Sequence, residues 1–382
     1  MSLIDLSHPT SLSYKEREEQ RKNQSFKPLP LQGSQCVAEP ALKTGFPSQV
    51  TGVGVPPVEA SGVRGLERGQ INIDRTHVFL ITSLFIFASL RLCAKLFIQM
   101  SITEKKIQVG SLEWFYRESL PIGRTDLLPV LLLHGLPSQS YSWRNILPAL
   151  AKQGTRAIAP DWIGFGFSSK PEKRDFAYTP DAFITALEEF LKSIELERFS
   201  LVVQGFLGSV GLQYALRHPE QIANIAILNT PISSQAKLPW KIQQMGLPLA
   251  GEMITQDPLL VDRTLEGGSR YVITDKDLDI YRKPFLKSSA AGRSLLATIR
   301  NLQLPSAMTE IESGFKKWQQ QILILWGMID PWLPLKIAQD FVSPLAQGDL
   351  IKLNNVGHYP QEHYHETILE DLLPFVRVKD AR

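Results

Sequence analysis

Two side chains near the C-terminus are suited to acid–base chemistry. Asp330 follows the apolar run at 322–326, and His358 comes 28 residues later in the stretch NNVGHYPQE. A carboxylate and an imidazole are groups that general acid–base catalysis often combines. Simpler explanations are open for both, because Asp330 could cap the following helix and His358 could be an ordinary loop histidine. The residue types alone also leave His363 and His365 as alternatives to His358.

The composition excludes several other kinds of chemistry. Cys36 and Cys93 form neither a disulfide framework nor a CxxC metal pair, and both precede residue 100. We therefore expect no metal and no cofactor. The 41 basic and 38 acidic residues give a net charge of +3, too small and too scattered for a surface that binds nucleic acid. With 43% hydrophobic and 21% charged residues, the chain has an ordinary globular composition.

Short apolar runs alternate with amphipathic stretches from Ile107 onward. A hairpin is predicted around Gly110, and helices are predicted at 141–152, 180–194 and 207–217. The apolar runs that read as buried strands lie at 130–133, 157–160, 200–204, 225–229, 322–326 and 350–353. Continuous apolar strands separated by helices predict an α/β protein with a mostly parallel sheet covered on both faces.

The interval between Asn229 and Ile322 breaks this alternation. It is helix-like and interrupted by prolines. We interpret it as a helical cap inserted over the C-terminal edge of the sheet, where such sheets bind ligands. The predicted division is a core formed by residues 100–230 and 310–382, with the cap at 231–309.

The N-terminal region differs from the rest of the chain. Residues 1–76 lack apolar periodicity and are predicted to be a disordered extension. Within 77–99, the run from Val78 to Leu90 has no charge, but it is shorter than the ~20 residues that cross a bilayer. It reaches Ile98 if Arg91 and Lys95 extend to the interface. The segment 78–98 is therefore a candidate membrane anchor.

Two alternatives to an anchor stay open: an amphiphilic helix packed on the domain, and a segment that is not normally translated, because Met100 opens a remainder of suitable size for one domain. The polar start of the chain lacks the features of a signal peptide. We expect a protein that is not secreted and that is cytoplasmic or attached to the cytoplasmic side of a membrane. The sequence does not indicate an oligomeric state.

Four ordered stretches resemble the α/β-hydrolase superfamily, and within it the branch of epoxide hydrolases and haloalkane dehalogenases. The stretches are LLLHGLPSQSYSWRNILPAL at 131–150, APDWIGFGFSSKP at 159–171, LNTP at 228–231, and LILWGMIDPWLP continued by NNVGHYPQE. This resemblance implies an α/β-hydrolase fold and spans approximately residues 107–376. It also implies that Asp330 and His358 are the catalytic acid and histidine, and that the backbone amides of Leu136 and Phe206 form an oxyanion hole.

The same resemblance places Gly205 where the family has its nucleophile. Dehalogenases and epoxide hydrolases have Asp there, in strings such as V-V-Q-D-W-G-G, whereas this chain reads V-V-Q-G-F-L-G at 202–208. Glycine permits the positive φ of the turn but has no reacting atom. Ser209 lies about one helical turn further on, roughly 6 Å away, and is not expected to replace the nucleophile. His134 is expected to be structural.

Other positions bear on the substrate. The family's halide ligands, an Asn and a Trp, correspond here to Leu136 and Phe206, whose side chains donate no hydrogen bond. Dehalogenase activity is therefore not expected. The family binds epoxides through tyrosines of its cap, and Tyr271 and Tyr281 are available in the predicted cap, although they could equally pack between cap and core.

Three hypotheses follow. The first is a hydrolase of a small apolar molecule, in which a water takes the place of the missing carboxylate and His358 activates it with the help of Asp330. The second is a catalytically inactive member of the superfamily that binds an apolar small molecule or a protein. The third, a membrane-tethered scaffold, rests only on residues 78–98.

Overall fold

The structure, a computed structural model, describes residues 102–380. The predicted disordered extension and the candidate membrane anchor lie outside the described residues. Within 102–380, no helix is long and apolar enough to cross a membrane.

One eight-stranded sheet organises the described chain. Its spatial order is β1-β2-β4-β3-β5-β6-β7-β8. Strand β2 pairs antiparallel with both β1 and β4, and the six strands β4, β3, β5, β6, β7 and β8 run parallel to one another. The strands are β1 (Thr103–Val109), β2 (Leu112–Ser119), β3 (Val130–Leu133), β4 (Ala157–Pro160), β5 (Phe199–Gln204), β6 (Ile222–Leu228), β7 (Gln321–Gly327) and β8 (Gly348–Leu353). The predicted hairpin and mostly parallel sheet are confirmed.

Twelve α-helices accompany the sheet in the described part of the chain. They are α1 (Ile146–Lys152), α2 (Pro180–Ser193), α3 (Gly205–Arg217), α4 (Trp240–Gln244), α5 (Ala250–Ile254), α6 (Leu259–Ser269), α7 (Asp275–Lys287), α8 (Ala290–Asn301), α9 (Leu304–Phe315), α10 (Leu335–Val342), α11 (Pro360–His363) and α12 (His365–Phe375).

Alternation along the central strands builds two hydrophobic cores. In β3, Leu131 and Leu133 pack on one face with helices α2, α3, α9 and α10, while Val130 and Leu132 pack on the other with α1 and α12. Successive side chains of a strand point to opposite faces, so a strand covered on both sides must be apolar throughout. Burial of each such side chain stabilises the fold by about 1.5–3 kcal/mol.

The prediction of a single helix over 141–152 is wrong. A 3₁₀ turn, Ser140–Trp143, comes first, and α1 begins only at Ile146. The turn is held by i to i+3 bonds, in which the Arg144 amide donates to the Tyr141 carbonyl (3.1 Å). Its start is fixed by the Ser140 amide, which donates to the Asp161 carboxylate at 2.6 Å.

Six helices, α4 to α9, lie between β6 and β7. The last of them, α9, packs against α3 in the same hydrophobic core as the sheet, so the predicted boundary at residue 309 falls inside a helix that contacts the core. Helix α6 contacts the sheet edge differently: the Gly268 carbonyl accepts a hydrogen bond from the amide of His358 (2.8 Å). The interrupted pattern thus corresponds to six helices, of which α6 contacts the loop that follows β8.

Candidate functional site

The turn from β5 into α3 is centred on Gly205. Gln204 is extended, and Gly205 has a φ of +67°, in the left-handed region that glycine enters without steric cost. A Cβ built on Gly205 would lie 3.1 Å from the Cα of Gly135 and 3.4 Å from Nε2 of His358. The glycine therefore lies against the loop that follows β3 and faces the histidine.

Asp330 and His358 form a buried pair. Nδ1 of His358 lies 2.8 Å from Oδ2 of Asp330, and both side chains have 0% exposure. A proton on Nδ1 satisfies this bond and leaves Nε2 as the lone-pair nitrogen. Nε2 is buried without a hydrogen-bond partner among the described residues. The imidazole is thus held by Asp330 with Nε2 facing Gly205.

The two carboxylate oxygens of Asp330 accept hydrogen bonds from different partners. While Oδ2 holds His358, Oδ1 accepts from the amides of Trp332 (2.8 Å) and Leu333 (3.1 Å). The capping interpretation of Asp330 is wrong: α10 begins at Leu335 with Pro334 as its N-cap and has no side-chain cap, and the bonds to Oδ1 hold the turn that precedes this helix. The backbone bonds fix the carboxylate, which in turn fixes the ring.

Asn229 is a residue of this site that the sequence analysis missed. Its Nδ2 donates to Oδ2 of Asp330 at 2.8 Å, and its Oδ1 accepts from the Gly327 amide at 2.8 Å. The residue follows β6, adopts a left-handed φ of +39° and is fully buried. A polar residue at the carboxyl end of the strand next to β7 was the available signal, because neighbouring parallel strands end at the same edge.

Aromatic rings surround the imidazole. Ring centroids of Phe206, Trp332 and Tyr359 lie 5.4, 4.6 and 4.9 Å from that of His358. The Tyr359 hydroxyl donates to the Leu136 carbonyl at 2.5 Å, and burial raises the pKa of Tyr359. Aromatic side chains therefore surround the imidazole of the Asp330–His358 pair.

The loop that carries Leu136 touches the start of α3, the helix that carries Phe206. A Cβ on Gly135 would lie 2.9 Å from the Cα of Gly205, so only glycine permits this approach. Leu136 and Phe206 follow these two glycines directly, and both are buried. The predicted amide donors therefore belong to the loop after β3 and to the first turn of α3, which lie next to each other.

A sequence profile described as the alpha/beta hydrolase fold matches residues 129–363, which include every one of these site residues. The chain belongs to the α/β-hydrolase fold family. Its relatives include a haloalkane dehalogenase of Sphingobium indicum, 32% identical over 206 residues that are 50% of this chain and 68% of the relative. Another is the cis-3-alkyl-4-alkyloxetan-2-one decarboxylase of Shewanella oneidensis, 28% identical over 65% of this chain and 81% of the relative.

Solved structures agree with this family membership. The crystal structure of the haloalkane dehalogenase DbeA from Bradyrhizobium elkani superposes with a TM-score of 0.65 at 25% identity, covering 72% of this chain and 98% of DbeA. The predicted fold class is therefore confirmed.

Two polar side chains of this α/β-hydrolase chain are structural. His134 is fully buried, its Nε2 accepts from the Trp162 amide (3.1 Å), and burial lowers its pKa. Ser209 donates to the Phe206 carbonyl at 2.8 Å within α3. Neither geometry offers a substitute nucleophile, in agreement with the sequence analysis.

The two predicted cap tyrosines have different surroundings. The ring of Tyr271 stacks on His363 at 4.3 Å and is 40% exposed. Tyr281 is buried, and its hydroxyl donates to the Glu362 carboxylate. Their role in substrate binding stays a prediction.

A buried ionic cluster surrounds Tyr281. Glu362 accepts from Arg144 at 2.9 Å, and Arg144 also reaches Asp277 on α7 at 3.3 Å. Burial raises the pKa of Glu362, opposed by the charge of Arg144 and the hydrogen bond from Tyr281. The cluster joins α7 to α11, which begins two residues after His358. Across residues 102–380, no group of three or more His, Cys, Asp or Glu side chains could hold a metal ion.

Proposed function

We propose that this chain is a hydrolase of a small apolar molecule that works without a covalent nucleophile of its own. The observation that carries the proposal is the orientation of His358: Nδ1 is held by Asp330 at 2.8 Å, and Nε2 points at Gly205, 3.4 Å from where a Cβ would be. Gly205, at the proposed nucleophile position, has no side chain that could attack a substrate. The chemistry that Asp330 and His358 can perform is therefore general-base activation of water.

In the proposed reaction, a water between Gly205 and His358 attacks an ester carbonyl carbon while its proton passes to Nε2. The oxyanion that forms accepts hydrogen bonds from the amides of Leu136 and Phe206. Its collapse breaks the bond to the leaving alkoxide, which takes the proton back from Nε2. Asp330 stabilises the imidazolium in between, and general-base catalysis of this kind contributes about 10²–10⁴-fold.

The surroundings of the pair favour an apolar substrate. Phe206, Trp332 and Leu136 supply the apolar surface around the imidazole. Leu136 and Phe206 cannot donate side-chain hydrogen bonds to a leaving halide. The proposal therefore separates this chain from the activity named for its dehalogenase relatives. Residues 231–309 are proposed to be the cap that closes over the substrate.

Hydrolysis of p-nitrophenyl butyrate tests the proposal. We expect wild type to exceed the buffer rate and His358→Ala to lose about 10²-fold or more of that excess. His218→Ala is the matched control, because His218 stacks on Tyr214 at the end of α3, outside the site. Equal rates for wild type and His358→Ala would overturn the proposed chemistry.

An inactive binding module is the second candidate. It is favoured by Gly205, which has no side chain to react, and by the complete burial of His358. If wild type shows no hydrolysis but an apolar ligand raises its melting temperature, and Trp332→Ala removes that shift, the binding interpretation replaces the hydrolase.

A further inference from the structure

A cavity of about 360 Å³ lies between the loop at 171–178 and helices α5 and α8. This volume is in the range of small-molecule sites in proteins. Its walls include neither Gly205 nor His358. The cavity is therefore separate from the candidate active site, although it lies in the same domain.

The floor of the cavity is apolar and rigidly held. Leu296 and Ala297 of α8 are buried there, next to Tyr178 and Ser294. The Tyr178 hydroxyl donates to the Pro171 carbonyl (2.7 Å) and lies 2.8 Å from Oγ of Ser294. These bonds tie the loop to α8 at the base of the cavity.

Tyr178 also has an unusual backbone. Its φ is +55°, a conformation that costs a residue other than glycine about 1–3 kcal/mol and is frequent at ligand sites. Gly164 packs against Tyr178 and Ser294. A Cβ on Gly164 would lie 2.7 Å from the Tyr178 ring. Packing and hydrogen bonds therefore fix the position of Tyr178 at the base of the cavity.

The rim of the cavity is charged, with more cations than anions. Lys173, Arg293 and Arg300 face two carboxylates, Glu172 and Glu252, and all five are exposed. Arg293 and Glu172 pair with each other at 3.0 Å. The remaining charges at the rim are the two cations Lys173 and Arg300 and the single carboxylate of Glu252. Arg300 is anchored through Nε to the Gly246 carbonyl (2.8 Å), so its guanidinium is positioned at the mouth.

Apolar surface continues outside the cavity. Helix α5, which supplies Glu252, also carries Met253, and Leu249 precedes it; these side chains are 78% and 77% exposed. Exposed apolar groups beside a mouth are typical of sites that receive apolar ligands.

From these observations we infer that the cavity is a binding site for an amphipathic anion: an apolar chain rests on Leu296 and Ala297, and a single negative head group lies at Lys173 and Arg300. Guanidinium groups bind carboxylate and phosphate heads well, so the head group is either of these. The inference is independent of the proposed hydrolysis, because it requires no reaction.

Calorimetric titration of the full chain with decanoate, decyl phosphate and decanol tests the inference. We expect saturable binding of at least one anion, with decanol binding more weakly. Arg300→Glu should weaken anion binding roughly five-fold, as expected for an exposed charge pair. Lys336→Glu makes the same change in net charge on α10 and should leave binding unchanged.

The apolar floor is tested by Ala297→Leu, which fills the cavity. We expect Ala297→Leu to weaken all three probes by roughly ten-fold, while thermal melting reports that the fold is kept. The inference is overturned if no probe saturates, if Arg300→Glu and Lys336→Glu bind alike, or if His358→Ala alone abolishes binding. The last result would place the probe at the candidate active site instead.

Discussion

The two halves of the candidate site differ in whether they supply side-chain atoms. At the end of β5, Gly205 preserves the backbone turn and its contact with Gly135 but offers no side-chain atom for reaction. At the ends of β7 and β8, Asp330 and His358 preserve side chains with complete hydrogen bonding around the carboxylate. The comparison teaches that the hydrogen bonds of the Asp330–His358 pair require no side chain at Gly205.

The largest expected effect comes from placing a hydroxyl group at Gly205, the proposed nucleophile position. In Gly205→Ser, a hydroxyl oxygen placed about 1.4 Å from the new Cβ can reach Nε2, because Cβ itself would lie 3.4 Å from that nitrogen. We expect an acyl-enzyme burst with p-nitrophenyl acetate and an esterase rate raised about 10²-fold. Strain at the positive φ costs about 1–3 kcal/mol of stability.

Two controls isolate the chemistry of that variant. Gly205→Ala carries the same strain and the same contact with Gly135 but has no hydroxyl, so it should show no burst. Gly205→Ser/His358→Ala has the hydroxyl but no base and should behave likewise. A folded Gly205→Ser protein without a burst would mean that the two halves are not assembled for nucleophilic catalysis.

The strands and the order of the site residues could be predicted from sequence, whereas its supporting contacts could not. Apolar runs such as 130–133 reveal buried strands because both faces of a parallel sheet are covered. Asp330 and His358 are recognisable from their motifs. Asn229 and Glu362 are not, because their partners, Asp330 and Arg144, lie 101 and 218 residues away in the chain and meet only through the fold. The surroundings of Tyr281 were equally hidden.

A second substitution tests whether the helices between β6 and β7 hold the histidine in place. A Cβ on Gly268 would lie 2.6 Å from both Trp332 and Tyr359, the rings that pack around His358. We expect Gly268→Ala to cost about 1–3 kcal/mol in chemical unfolding and to lower the His358-dependent rate. Gly267→Ala is a matched control on the same helix, since no atom lies within 4 Å of its Cβ, and it should be neutral or stabilising by about 1 kcal/mol. If Gly268→Ala and Gly267→Ala change stability and rate equally, α6 does not help to hold His358 in place.

Asn229 tests the support of the acid. Asn229→Ala leaves Oδ2 of Asp330 with one partner fewer and the Gly327 amide unpaired, at an expected cost of about 1–3 kcal/mol. A positioning role also predicts a shifted pH profile of kcat. Asn224→Ala, which removes a buried bond to the Phe375 carbonyl elsewhere on β6, should lower stability without moving that profile. If both variants leave the profile unchanged, Asn229 is only structural.

The last expected effect is on the pH dependence of stability at His363, in α11. Burial lowers the pKa of His363 to about 4 from its usual 6.5. Between these values the unfolded chain binds more protons than the folded one, so this group makes unfolding easier as the pH falls from 6.5 toward 4. Glu362 has the opposite sign: burial raises its pKa, so the folded chain binds this proton more readily than the unfolded chain, and its contribution to stability increases as the pH falls. Urea unfolding of wild type and His363→Gln at several pH values separates the two: the difference between their unfolding free energies should change across pH 4–6.5 and be constant above it. A constant difference throughout would show that His363 titrates in the folded protein as it does in the unfolded chain.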